Sequence, residues 1–97
     1  MRFVFLIFLF VQVVRGTDWA PVRQWPAPEA HQAAAADQRF FYAITSRAVA
    51  KYDRTTGKRV ALSTGAVRHL NSGFFWKGKL LCAHSNYPFK PERSEIM

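Results

Sequence analysis

One short segment of this chain recurs about 40 residues further along. Residues 40–43, Phe-Phe-Tyr-Ala, and residues 80–83, Leu-Leu-Cys-Ala, occupy matching places in two successive units. A period of this length is typical of a repeat built from four short strands. The sequence therefore indicates a repeat protein, with a first unit over residues 33–64 and a second, cut off at Met97, over residues 65–97.

The first unit predicts four antiparallel strands. The alanine run 33–36 suits an innermost strand, and Asp37 with Gln38 turns the chain. Residues 39–44 carry apolar side chains on both faces, the pattern of a strand that lies between two layers. Two further strands, 48–52 and 58–63, follow.

A hairpin turn is predicted between the last two strands. Asp53 can accept hydrogen bonds from nearby backbone N–H groups, and Gly57 adopts a positive φ cheaply. Four strands in about 40 residues are the pattern of one β-propeller blade.

The second unit repeats the plan in part. Residues 70–75 predict an inner strand, 76–78 a turn and 79–84 the next strand, and a third strand begins at 94 after a loop. We therefore predict an all-β chain of about one and a half four-stranded antiparallel propeller blades. Since a propeller needs at least about four blades, the ring is incomplete, and its open sheet edges predict self-association.

A helix over residues 29–52 is the competing interpretation. That segment contains no Gly or Pro and is rich in alanine, and several apolar residues fall near helical spacing. The adjacency of Phe40, Phe41 and Tyr42 favours a strand, because helical faces need apolar residues three or four apart.

The first sixteen residues predict a secretory signal peptide cleaved after Gly16. Arg2 precedes an apolar run over residues 3–14, as such signals require. That run is shorter than the roughly 20 residues of a membrane span. We therefore predict a secreted or periplasmic protein with no stable membrane span after cleavage.

Residues 17–32 predict a linker, because they hold three prolines, at positions 21, 26 and 28. Proline removes a backbone donor and biases its neighbours toward extended structure. Trp19 and Trp25 are expected to anchor this linker by packing.

Charge and cysteine content exclude some classes. The net charge is +8, but the basic residues are spread along the chain without a dense run, so no nucleic-acid partner is predicted. A cationic membrane-active protein lacks support for the same reason, since no basic amphipathic helix is evident. A single cysteine, Cys82, excludes an intrachain disulfide. Its place in an apolar strand predicts a buried, inert thiol, although a reactive pair with His84 on the same strand face is conceivable.

Residues 52–60, Tyr-Asp-Arg-Thr-Thr-Gly-Lys-Arg-Val, resemble the hairpin of the secreted β-propeller superfamily with YVTN- or pyrroloquinoline-quinone-type repeats. Residues 41–44 match the strand that usually precedes it, and the resemblance covers residues 33–97. It implies a propeller fold. Such families include quinone-dependent dehydrogenases, cyclising enzymes that act on amino-terminal glutamine, and binding scaffolds, so it fixes no activity. No cofactor-binding residue transfers from this hairpin, and no cofactor is predicted.

Six polar residues in the second unit form the candidate ligand-binding site. Histidine transfers protons near neutral pH or binds metals, and asparagine and serine orient ligands by hydrogen bonding. The residues are His69, Asn71, Ser72, His84, Ser85 and Asn86. The interpretation that we favour is plainer: the asparagines and serines satisfy backbone groups at turns and strand ends. No carboxylate lies between Asp53 and Glu92 to complete a ligand set, so no metal is predicted.

The leading functional interpretation is a fragment of an exported β-propeller-type binding protein without catalytic activity of its own. Its partner would be an unidentified small molecule, glycan or protein. The alternative is part of a propeller enzyme, a hydrolase or a glutaminyl-cyclotransferase-like acyltransferase, in which His69 or His84 serves as general base.

Overall fold

The computed structural model describes residue 16 and residues 18–97. The signal peptide predicted for residues 1–16 therefore lies outside the described residues, apart from Gly16. Across the described part every regular element is a β-strand, so the helix considered for residues 29–52 does not form. The same residues include no helix with the length and apolar character that a membrane crossing requires.

The first unit forms the predicted four-stranded antiparallel sheet. Its strands are β1 (Ala33–Ala36), β2 (Phe40–Ile44), β3 (Val49–Asp53) and β4 (Arg59–Leu62), and they lie side by side in chain order. Ala33 pairs with Ile44, and Ile44 pairs in turn with Val49. The register between β3 and β4 shifts next to Tyr52, as at a β-bulge.

Asp37 shapes the turn between β1 and β2. Its Oδ1 accepts hydrogen bonds from the backbone N–H groups of Arg39 and Phe40 at 2.8 and 2.6 Å. Its Oδ2 accepts a third from the hydroxyl of Tyr42 at 3.2 Å. These donors hold the pKa of the Asp37 carboxyl below its ordinary value, with the Phe40 N–H as the largest cause. The turn predicted at this position is confirmed.

Asp53 shapes the turn between β3 and β4 in the same way. Its Oδ1 accepts hydrogen bonds from the N–H groups of Thr55 and Thr56 at 2.7 and 3.0 Å. Gly57 completes the turn with a φ of 71°, a left-handed conformation that only glycine adopts without steric strain. The roles predicted for Asp53 and Gly57 are both confirmed.

The second unit forms two small antiparallel sheets. Its strands are β5 (His69–Leu70), β6 (Phe74–Trp76), β7 (Lys79–Leu81), β8 (Ala83–Ser85) and β9 (Ser94–Ile96). β6 pairs with β7, and β8 lies between β5 and β9. The continuous strands predicted over residues 70–75 and 79–84 are wrong, because each is divided in two. The third strand predicted from residue 94 forms.

A bulge accounts for this division. Residues 71–73 connect two paired positions on one side of the hairpin, whereas only residues 82–83 connect their partners on the other. One residue is therefore extra, and the ladder breaks around it. Ser72 satisfies a backbone group inside the break, since its Oγ accepts a hydrogen bond from the N–H of Ala83 at 3.0 Å.

The two units pack against each other across one face of the first sheet. Neighbouring residues of a strand point to opposite faces, so Tyr42 and Ile44 share this face. Ile44 is fully buried in a cluster with Leu70 and Cys82. The rings of Tyr42 and Phe75 lie 4.9 Å apart. The two units therefore share an apolar interface on this face.

The segment before β1 covers the opposite face. The Trp25 ring stacks on Phe41 at 5.0 Å, and Phe41 stacks on Tyr52 at 4.8 Å. β2 is therefore enclosed between two layers, as its sequence predicts. The anchoring role expected of Trp25 is confirmed, whereas that expected of Trp19 is wrong, because Trp19 is 97% exposed.

Candidate functional site

A groove of about 660 Å³ lies where β8 and β9 meet the loop that connects them. Three of the six predicted site residues line it, and four residues that follow them in sequence complete it. The lining consists of His84, Ser85, Asn86, Glu92, Arg93, Ser94 and Glu95. The groove is thus a polar depression with acidic, basic and hydroxyl groups at its walls.

Strand pairing places the two predicted histidines on opposite faces. His69 pairs with Ser85, and Leu70 pairs with His84. Because side chains alternate along a strand, His69 points away from the face on which His84 lies. The His69 ring instead lies 5.2 Å from the ring of Tyr87. The two histidines therefore do not form one catalytic or metal-binding pair.

Both ring nitrogens of His84 are engaged. Nε2 accepts a hydrogen bond from the backbone N–H of Arg68 at 3.0 Å. Nδ1 lies 3.0 Å from Oε1 of Glu95. An N–H donor at Nε2 requires that this nitrogen carry no proton, so Nδ1 carries it and donates to Glu95. The His84 side chain is only 13% exposed.

Asn86 organises the loop between β8 and β9. Its Oδ1 accepts a hydrogen bond from the N–H of Arg93 at 2.8 Å, and its Nδ2 donates to the carbonyl of Pro91 at 2.9 Å. Its backbone N–H also donates to the carbonyl of Arg93 at 3.1 Å. Asn86 thus closes the base of the loop, the type of role that asparagine takes at turns.

Asn71 and Ser72 lie in the bulge and outside the lining of the groove. The Asn71 N–H donates to the carbonyl of Ala83 at 3.2 Å, next to the bond that Ser72 accepts. Ser85 accepts a long bond of 3.4 Å from the N–H of Tyr87. The structure therefore gathers His84, Ser85 and Asn86 in one groove and gives Asn71 and Ser72 contacts within the backbone of the second unit.

The groove residues that sequence reasoning missed are Glu92, Arg93, Ser94 and Glu95. Glu95 lies opposite His84 in the β8–β9 ladder, although eleven positions separate them in sequence. The available signal was the short strand predicted from residue 94. Pairing that strand with residues 82–85 would have placed a carboxylate beside the histidine.

Cys82 lies beneath the sheet interface and does not line the groove. Cys82 is 6% exposed, and burial raises the pKa of its thiol above the ordinary value of 9.0. The backbone N–H and carbonyl of Cys82 each bond Met97 at 2.9 Å. The buried cysteine predicted from the sequence is confirmed, and a buried thiol with a raised pKa is a poor nucleophile.

Comparison with known proteins gives no relative. No family model, curated protein or solved structure matches the chain. Within residue 16 and residues 18–97, no group of three His, Cys, Asp or Glu side chains is arranged to hold a metal ion.

Proposed function

We propose that the chain is part of an exported β-propeller-type binding protein and holds a small polar ligand in the β8–β9 groove without catalysing a reaction. In this proposal residues 33–64 and 65–97 are successive blades. Strand order in the first unit supports it, since β1 to β4 form an antiparallel meander in chain order. In the second unit, the hairpin of β5 and β6 with β7 and β8 is followed by β9, which pairs with β8. The face-to-face contact of Ile44 with Leu70 and Cys82 is the kind of contact that neighbouring blades make.

The hydrogen bonding of His84 is the observation that favours binding over catalysis. A general base must present an unoccupied nitrogen to the proton it abstracts. The Arg68 N–H occupies Nε2, and the proton shared with Glu95 occupies Nδ1. His84 is therefore a fixed wall of the groove rather than a proton acceptor.

The groove suits a small ligand rich in hydroxyl groups. Its volume, about 660 Å³, lies within the range of small-molecule sites. Ser85 and Ser94 offer hydroxyl groups, and Glu92 with Arg93 offers an acceptor and a donor of opposite charge. A saccharide presents donors and acceptors on all sides and matches this mixed lining.

Saccharide binding is tested by titrating ¹⁵N-labelled protein with a panel of mono- and disaccharides. We expect shifts of the backbone amides of residues 84–86 and 92–95. Glu92→Gln should weaken binding about tenfold, the effect of one hydrogen bond to a charged group. Asp18→Asn, which removes an equal charge outside the groove, is the control. The proposed function would be contradicted if no saccharide shifted the amides of the groove, or if Glu92→Gln and Asp18→Asn weakened binding equally.

The enzyme alternative rests on the contact between His84 and Glu95. A carboxylate bonded to Nδ1 is how many catalytic histidines are oriented. For His84 to act as a base, however, the Arg68 N–H must leave Nε2. Turnover of glutaminyl peptides or ester substrates that is abolished by His84→Ala and retained by His69→Ala would establish the alternative in place of binding.

Export is a separate part of the proposal. The export signal predicts that the exported chain begins at Thr17, which amino-terminal sequencing of the secreted protein checks.

Self-association is another part of the proposal. The outer strands β1 and β4 each have one unpaired edge within the sheet order, and such edges recruit further strands. Sedimentation velocity over a hundredfold range of concentration measures whether copies associate.

A further inference from the structure

A second pocket, beside the groove, is lined by two arginines and no carboxylate. Its volume is about 370 Å³, and it is lined by Arg68, Asn86, Phe89 and Arg93. We propose that this arginine pocket binds a compact oxyanion, either a carboxylate or a phosphate group. The inference goes beyond the saccharide proposal, because Arg68 and Phe89 lie outside the groove lining, and it is tested with a different probe.

Hydrogen bonds fix the backbone at both arginines. The N–H of Arg68 donates to Nε2 of His84 at 3.0 Å. The N–H of Arg93 donates to Oδ1 of Asn86 at 2.8 Å, and its carbonyl accepts from the Asn86 N–H at 3.1 Å. Two arginines on a mobile loop would move apart because their charges repel. Here hydrogen bonds hold the backbone at both arginines, so both side chains remain at one pocket.

The Arg68 guanidinium is oriented by an aromatic ring. Its Cζ lies 4.5 Å from the centroid of Phe89, within the range of a cation–π contact. Such a contact uses the face of the guanidinium and leaves the N–H groups at its edge available for an acceptor. Phe89 is itself 53% exposed, so the stacked pair stands at the open side of the pocket.

The nearby carboxylates have other partners. Glu92 pairs with Lys90, and Glu95 accepts a hydrogen bond from Nδ1 of the neutral His84 ring. Within residue 16 and residues 18–97, neither Arg68 nor Arg93 belongs to an ion pair. The charge of the arginine pocket is therefore not compensated by an acidic side chain in its lining.

Guanidinium groups select oxyanions by geometry as well as charge. Each presents parallel N–H donors that match two oxygens of a carboxylate or phosphate. Two such groups around one pocket favour a compact anion over a neutral or cationic ligand. Asn86 and Arg93 line both depressions, so a ligand in the groove that carries an anionic substituent would reach the arginine pocket.

The test titrates the ¹⁵N-labelled full chain with inorganic phosphate and, separately, with acetate, each against sodium chloride of equal ionic strength. We expect saturable shifts at the amides of Arg68, Phe89 and Arg93. Arg68→Gln and Arg93→Gln should each weaken binding about tenfold, as loss of a charge-assisted hydrogen bond requires. Arg47→Gln removes the same charge from an exposed position outside the pocket and should leave affinity within about twofold.

The two anions distinguish the ligand class. Shifts with both indicate a general oxyanion site, and shifts with phosphate alone indicate a phosphate site; either supports the proposal. Circular dichroism of each variant checks folding, and Arg68→Lys, which keeps the charge but loses the paired donors, should bind more weakly than wild type. The proposal would be overturned if phosphate and acetate shifted the pocket amides no more than sodium chloride does. It would also be overturned if Arg47→Gln weakened anion binding as much as the pocket variants do.

Discussion

The indole of Trp25 lies against Gly57 so closely that a Cβ at this glycine would stand 2.2 Å from Cδ1 of Trp25. The same indole stacks on Phe41, so it cannot move aside without losing that contact. A residue of the segment before β1 is thereby fitted to a turn more than thirty residues later. The resemblance motif in residues 52–60 thus has a packing role besides its turning role.

Gly57→Ala is expected to destabilise the chain in two ways. A left-handed φ costs a non-glycine residue about 1–2 kcal/mol, and the clash with Trp25 adds about 1–3 kcal/mol, as overpacking does. Gly78→Ala is the matched control, because Gly78 has a φ of 75° but nothing within 4 Å of its Cβ position. Urea unfolding measures both. Equal losses in the two variants would show that Trp25 does not press on Gly57.

Gly73→Ala tests the contact between the two units. A Cβ at Gly73 would lie 2.5 Å from Cδ1 of Ile44, so the substitution should cost about 1–3 kcal/mol. Ile44→Val deletes that methyl group and should recover part of the loss in the double variant, although alone it costs about 0.5–1.5 kcal/mol. A double-mutant cycle measured by urea unfolding gives the coupling. Strict additivity would mean that the units do not pack as described.

The first unit could be predicted from sequence because its signals are local. Alternating side chains in residues 40–44 and the Asx turns of Asp37 and Asp53 depend on residues a few positions apart. The second unit could not, since its bulge depends on distant partners. The backbone of Cys82 forms hydrogen bonds with Met97 rather than continuing the hairpin, and no local sequence pattern predicts this pairing.

The 40-residue offset read from the sequence does not agree with the packing of the two units. An offset of 40 aligns Tyr42 with Cys82, yet Tyr42 contacts Phe75 and Cys82 contacts Ile44, so both side chains lie between the units. Blades related by rotation would direct equivalent side chains into successive interfaces. Under the blade proposal, the structural offset therefore differs from 40 by an odd number of residues.

The candidate site was predicted in part. His84, Ser85 and Asn86 stand at the end of a strand, where the sequence placed them. Their partners could not be predicted, because Glu95 reaches His84 only through the β8–β9 ladder. Arg68 directly precedes β5 and reaches His84 only through the pairing of β5 with β8. A loop of eight residues, 86–93, separates the strands that make the groove.

Stability should decline in acid. The hydrogen bond from Tyr52 is the largest cause that holds the pKa of Glu29 below its ordinary value of 4.5, and backbone N–H groups do the same for Asp37 and Asp53 below 3.8. A carboxyl with a lowered folded-state pKa stabilises fully above its unfolded pKa, and this contribution is lost as the pH falls through the folded value. Unfolding midpoints should therefore be level from pH 7 to about 5 and fall below.

Tyr52→Phe tests whether the Tyr52–Glu29 hydrogen bond contributes to the loss of stability in acid. It removes the main cause of the Glu29 shift, so the loss of stability that begins near pH 4.5 should become smaller. Tyr87→Phe removes the hydroxyl of a residue that is 66% exposed and should leave the curve unchanged. Stability that rises between pH 5 and pH 3 would contradict the assignment.

The tautomer of His84 is open to direct measurement. Because the Arg68 N–H faces Nε2, His84 should hold its proton on Nδ1, the less common tautomer of a free imidazole. Long-range ¹H–¹⁵N spectra of the ring at neutral pH distinguish the two nitrogens, and the His69 ring serves as an internal comparison. A protonated Nε2 would break the argument that His84 is unavailable as a base.

Cys82 should react slowly with alkylating reagents in the native chain. The residue is 6% exposed, and burial raises the pKa of its thiol, so both reagent access and the thiolate fraction are low. Iodoacetamide labelling followed by mass spectrometry should be at least about tenfold slower than in urea. Native and unfolded rates that agree would place Cys82 at the surface.

The two aspartate turns at one end of the first sheet are joined by Arg54. Its backbone N–H donates to the carbonyl of Arg39 at 3.1 Å, and its guanidinium donates to the carbonyl of Asp37. A strand that slips by one residue turns its whole apolar face outward. Here a register slip in either hairpin would break the hydrogen bonds of Arg54, so a wrong register in one hairpin also costs the contacts that it makes with the other. The two turns therefore stabilise the native registers of both hairpins together.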